Sequence, residues 1–171
     1  MRRFERTSLA AASVAITGGI VLVSACSNSV SGTAQVNQSD LATYTSMAAA
    51  SSSAAAATAA TAACDTFSTA NGDSVRKFNA YIDASNNDAP DTAAKASDAE
   101  TSLRDGANDV DRKLAKNLPP GVAQALRDYR DDSKKLADLL EQDAPTDIMN
   151  DHIDVFNATK DAAVDACEDY E

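Results

Sequence analysis

Catalysis needs nucleophiles, acid–base groups or metal ligands at close quarters, and this chain has few candidates. It has one histidine, His152, and three cysteines, Cys26, Cys64 and Cys167. Asp151 precedes His152 and Asp154 follows it by two, a neighbourhood in which a metal could be imagined. The Glu-x-x-His pair of di-iron helical bundles is absent, because Met149 stands where the Glu would be needed. Asp147, Asp151, Asp154, Asp161, Asp165 and Glu168 form a stripe broken at Ala158, the pattern of a solvated helix face. Asp109, Asp111 and the Asp131-Asp132 pair lack the Gly-containing loop of a calcium site. Gly72, Gly106 and Gly121 are isolated, so none belongs to a phosphate-cradling loop. Paired carboxylates are available anywhere in so acidic a chain and single out nothing. The expectation is no catalytic group, no metal and no cofactor, hence no enzyme.

Cys26 is different, because what precedes it gives it a chemistry. Arg2, Arg3 and Arg6 open the chain, an apolar stretch runs from Leu9 to Val23, and small residues follow. That is the three-part layout of a secretory signal. The order Val23-Ser24-Ala25-Cys26 resembles the lipobox of bacterial lipoproteins: aliphatic, small, small, cysteine. The resemblance implies a diacylglyceryl group on the Cys26 thiol, cleavage before Cys26, and anchoring to the outer face of the cell membrane. Two or three acyl chains, each buried methylene contributing about 0.8 kcal/mol, make such an anchor effectively permanent. A membrane-spanning helix would be longer and free of the Gly18-Gly19 pair. Phe4 follows the Arg2-Arg3 pair directly, which favours the general secretory route over twin-arginine export.

Charge excludes one large class of partner. Arg2, Arg3 and Arg6 against Glu5 give the leader a net +2, so its removal takes the chain from −11 to −13. Every later acid except Asp40 lies from Asp65 onward. A domain so acidic repels phosphate backbones and anionic headgroups, so nucleic acid is not expected as a partner. With no Trp, four Tyr and four Phe, an aromatic platform for sugars is not expected either. Residues 26–58 are rich in Ser, Thr and Ala and nearly uncharged, and read as a disordered or partly helical tether. Ala favours helix there while the Ser and Thr runs weaken it, and Asp40 could cap such a helix.

Apolar positions at spacings of three and four divide residues 59–171 into four helices. The first carries Cys64, Phe67, Val75, Phe78 and Ile82, with a kink or break plausible at Asn71-Gly72. The second starts with Asp91 as cap, carries Leu103, Val110 and Leu114, and is stopped by Pro119-Pro120. The third has the cleanest pattern: Val122, Leu126, Tyr129, Ser133, Leu136 and Leu140. The fourth starts at Thr146 as cap and points Met149, Ile153, Phe156, Ala163, Val164 and Cys167 inward. Short connections between helices of similar length make neighbours antiparallel, giving an all-α, up-down-up-down four-helix bundle. The chain thus divides into a signal peptide (1–25), a lipidated tether (26–58) and an acidic bundle (59–171).

In that topology the start of the first helix and the end of the fourth lie at one end of the bundle. Cys64 and Cys167 occupy those places and, in an exported protein whose third cysteine is lipidated, are expected to form a disulfide. Mirror counting from that bond sets Phe67 against Val164, Val75 against Phe156 and Phe78 against Ile153. The short echo Phe78-Asn79-Ala80 and Phe156-Asn157-Ala158 reads as core Phe beside boundary Asn.

The lipobox, Ser31-Gly32-Thr33-Ala34, the Ala/Thr tether and the Cys64…Cys167 frame together resemble small membrane-anchored lipoproteins of actinobacteria, the mycobacterial type. The resemblance implies a cell-envelope location and carries no established activity. Two functions remain in view. One is a non-catalytic interaction or accessory module that holds an envelope protein partner near the membrane. The other is a module that takes a lipid or small ligand between its helices, which a separation of the first and second helices near Asn71-Gly72 would favour.

Overall fold

The computed structural model describes residues 37–170. The expected signal peptide, the expected lipobox residues Val23, Ser24 and Ala25, the lipidation candidate Cys26 and the first part of the stretch read as tether lie outside the described residues. Four α-helices follow in order: α1 (Gln38–Asn86), α2 (Thr92–Lys113), α3 (Pro120–Glu141) and α4 (Thr146–Cys167). A short 3-10 turn covers Glu168–Tyr170. The all-α, four-helix expectation holds, and the described residues contain no strand.

The first helix is much longer than its apolar pattern indicates. It has 49 residues and starts at Gln38, inside the stretch read as tether. Asn37, not Asp40, is its cap: the Ser39 N–H donates to Asn37 Oδ1 at 3.2 Å. Ala carries the helix through residues 48–63, and hydroxyls such as those of Thr43 and Thr58 bond back to carbonyls four residues earlier. The helix also runs unbroken through Asn71-Gly72, where a break was plausible. Gly72 is exposed with nothing within 4 Å of where a Cβ would sit, so it costs helix propensity without forcing a bend. At 1.5 Å per residue α1 is about 74 Å long, whereas each 22-residue partner spans about 33 Å. Residues 37–55 are exposed, so the N-terminal part of α1 stands clear of the bundle. Asn117, in the α2–α3 connection, donates to the Ala55 carbonyl near where the bundle begins. No described helix is long and apolar enough to cross a membrane.

The α1–α2 and α3–α4 connections share one device. Asp88 (φ 48°) and Asp143 (φ 50°) adopt the left-handed conformation just after a helix. The following Ala89 and Ala144 donate back to Ala84 and Leu139 carbonyls, and Pro90 and Pro145 forbid continuation. Two other expected details differ. Asp91 holds the cap position of α2 without a side-chain capping bond, and Thr146 is the first helical residue of α4, its cap position taken by Pro145. Pro120 opens α3, where its missing N–H costs nothing.

Packing is extensive between α1 and α2, α2 and α3, and α3 and α4, and sparse between α1 and α4. The core centres on Tyr129, whose ring meets Phe67 edge-on at 4.7 Å and lies tilted against Phe156 at 5.7 Å. Leu103, Val110, Leu126 and Leu136 surround it. Cys64 and Cys167 are joined in a disulfide with Cα atoms 5.5 Å apart. Of the mirror pairs, Val75 with Phe156 and Phe78 with Ile153 do come together, lining one groove between α1 and α4, whereas Phe67 with Val164 fails. Val164 is 46% exposed and cannot oppose Phe67, which packs on Tyr129 of α3 instead. Packing between α1 and α4 is sparse, and Val164 is left on the surface of α4.

Candidate functional site: a groove between α1 and α4

Sparse packing between α1 and α4 leaves a groove of about 260 Å³. One wall is Val75, Phe78 and Ile82 of α1, and the other is Ile153 and Phe156 of α4. Leu103 of α2 and Leu136 of α3 form the floor. All seven sit where a period of 3.6 puts core residues; Phe78, Phe156, Leu103 and Leu136 are buried, and Val75, Ile82 and Ile153 are half-buried. Polar lining comes from Ser74, which is buried, and from Asn79, Asn150 and Asn157, which are exposed and form a rim. No lining side chain is charged. Lys160 donates to Asn157 Oδ1 at 3.3 Å and is itself ion-paired with Asp161 at 3.2 Å.

Ser74 separates this groove from a second, polar cleft of about 510 Å³ between α1 and α2. Its hydroxyl donates to the Ser102 carbonyl at 3.1 Å, and the Ser102 hydroxyl donates to Asp73 Oδ2 at 2.9 Å. That hydrogen bond, aided by Lys77 and Arg76, holds the Asp73 carboxyl below its ordinary range. Gly106 lets α1 and α2 come this close: a Cβ there would lie 3.1 Å from Ala70 Cβ and 3.2 Å from Ser74 Oγ. Behind the groove the Tyr129 hydroxyl is buried without a hydrogen-bond partner. Burial pushes its pKa up to about 12.

The residues singled out by chemistry scatter. His152 Nε2 donates to the Asp132 carbonyl at 3.0 Å, on the α3–α4 side, beside Asp151, Ile148 and Val155. Asp147, Asp151, Asp154, Asp161, Asp165 and Glu168 are all exposed. Among the described residues no three His, Cys, Asp or Glu side chains are grouped to hold a metal ion. The disulfide ties α1 to α4 on the side of Cys64 and Cys167, and the groove lies farther along both helices. Sequence reasoning took Val75, Phe78, Ile153 and Phe156 as plain core and passed over Asn150. The one available signal was the Phe-Asn echo: Phe78 and Phe156 face each other across the groove, and Asn79 and Asn157 stand on its rim. Apolar walls and an uncharged rim are a lining that suits binding.

Comparison with known proteins fits this architecture. A model of the Rv2240c four-helix bundle domain matches residues 47–168, which covers α2, α3 and α4 whole and α1 from residue 47 onward. The mycobacterial name of that family agrees with the actinobacterial character of the sequence. No curated protein and no solved structure matches the chain. By its match over most of its length, the chain belongs to the family of the Rv2240c four-helix bundle domain.

Proposed function

We propose that the chain is a lipoprotein of the cell envelope, anchored through Cys26 to the outer face of the membrane, that acts by binding without catalysis through the α1–α4 groove. The observation that carries the binding element is the groove itself: an uncharged apolar slot of about 260 Å³ in a chain of net charge −11. A ligand seated against Val75, Ile82 and Ile153 would remove their apolar area from water, which is worth roughly 25 cal/mol per Å². All three are only half-buried. The anchor rests on Val23-Ser24-Ala25-Cys26 and the basic, apolar leader before it. The projecting part of α1 suits a stalk that holds the bundle away from the lipid surface.

The second reading, an accessory module for an envelope protein, draws on a different surface. Ile148 and Val155 of α4 are each 47% exposed and border a shallow hollow with Leu139 and Lys135. Native mass spectrometry of the mature protein, extracted gently from its own membranes, separates the readings. A small bound molecule together with acyl mass on Cys26 supports the proposal. A protein companion with an empty groove supports the accessory reading, and an unacylated Cys26 refutes the anchor.

A further inference from the structure

We infer that the groove takes one unbranched aliphatic chain bearing an uncharged polar head, the chemistry of a monoacylglycerol. The inference rests on the groove being the binding element. Volume restricts the chain: about 260 Å³ is room for roughly nine groups the size of a water molecule or a methylene, at about 30 Å³ each. That accommodates one chain of about nine or ten carbons. It lies below the roughly 300–1,000 Å³ of sites for drug-sized molecules, which favours one chain over two. The floor suits a hydrocarbon, since Leu103 and Leu136 are apolar and the Ser74 hydroxyl is already committed to the Ser102 carbonyl. An aliphatic chain would therefore strand no polar group.

Charge restricts the head. Asn79, Asn150 and Asn157 offer amide donors and acceptors at the mouth, which match an ester or a hydroxyl. Lys160, which reaches the rim through Asn157, is paired with Asp161. Exposed Asp147, Asp151, Asp154, Asp161 and Asp165 on α4 make the approach negative. A carboxylate or phosphate head would meet that field with no cation in the groove lining, whereas a neutral head meets no such penalty.

The test uses the full mature chain, titrated calorimetrically below micelle-forming concentrations with monodecanoylglycerol, decanoate and neutral monoacylglycerols of eight to fourteen carbons. One monodecanoylglycerol should bind per chain, and decanoate should bind at least tenfold more weakly. Each methylene contributes about 0.8 kcal/mol, so shortening from ten to eight carbons should weaken binding by roughly fourteenfold. Lengthening beyond ten carbons should add little. Val75→Trp from α1 and Ile153→Trp from α4 fill the slot from opposite sides. Either variant, provided its helical content is retained, should abolish binding. Decanoate binding as tightly, or affinity rising steadily to fourteen carbons, would overturn the ligand class; if a Trp variant still blocked that binding, the groove would stand as the site. Failure of every probe, with a membrane-derived passenger retained by the Trp variants, would overturn both the class and the groove.

Discussion

Removing the Cys64–Cys167 disulfide is the perturbation whose size follows most directly from the fold. The bond closes a sequence separation of 103 residues. In the chain-entropy model a loop of that length is worth about 4.7 kcal/mol, because the uncrosslinked unfolded chain regains the closure entropy. Domains of this size have total stabilities of about 5–15 kcal/mol, so the bond is a large share of the whole. The clean variant is Cys64→Ala with Cys167→Ala. Both positions are fully buried, and Ser would leave a hydroxyl without a partner. With an unfolding entropy of about 2.1 cal/mol/K per residue over about 110 residues, the melting temperature should fall by about 20 °C. The structure adds where the loss should appear first. Since α1 and α4 share little contact, the last turns of α4 should lose amide protection while Leu126–Leu140 in α3 keep theirs. Circular dichroism melting and hydrogen exchange measure the two effects. A fall of less than about 5 °C, or equal loss of protection along all four helices, would refute the reasoning.

The two glycines should respond in opposite directions. Gly72→Ala, exposed and unobstructed, should stabilise by about 0.5–1 kcal/mol, whereas Gly106→Ala should destabilise by about 1–2 kcal/mol after its gain in helix propensity, because the new methyl meets Ala70 and Ser74; chemical denaturation reads both. Tyr129→Phe should change stability near neutral pH by less than about 1 kcal/mol, because the hydroxyl it removes is already unpartnered. Its effect should emerge in alkali. With the folded pKa raised from 10 to about 12, the unfolded state releases the phenol proton first, so the native chain loses stability as pH rises from about 10 towards 12, by up to about 3 kcal/mol, and the Phe variant should escape that loss in denaturant titrations at stepped pH. Cys26→Ser should move the protein from the detergent phase to the aqueous phase on phase partitioning, and its retention with detergent would count against the lipid anchor.

Most of the architecture could be read from periodicity. Leu126, Tyr129, Ser133, Leu136 and Leu140 mark one face of α3, and all five are buried in the bundle. Cys64 and Cys167 could be paired on paper because topology alone brings those chain positions to one end. The start of α1 could not be located this way. Residues 38–58 carry no apolar stripe, so a method that counts stripes has nothing to count there, although Ala propensity and the Asn37 cap suffice for helix. The groove was hidden for a related reason. Val75, Phe78, Ile153 and Phe156 present the same pattern whether α1 and α4 close tightly or part. The parting depends on interhelical geometry that no single helix's sequence encodes. Asn79 and Asn157 were visible as boundary residues, but their role as a rim depends on that same parting.

The continuity of α1 joins base and binding wall into one rigid screw. The exposed N-terminal segment and the groove residues Val75, Phe78 and Ile82 belong to the same helix, with no joint at Asn71-Gly72. Height and compass bearing of the groove are therefore linked. One residue inserted between Ala48 and Ala57 would raise the mouth by about 1.5 Å and swing it by about 100° relative to the foot of the helix. Seven inserted residues would raise it by about 10 Å and return it to within about 20° of its original heading. Among chains built on this plan, segment lengths that differ by seven would keep the groove facing the same way, and a difference of two would turn it nearly to the opposite side.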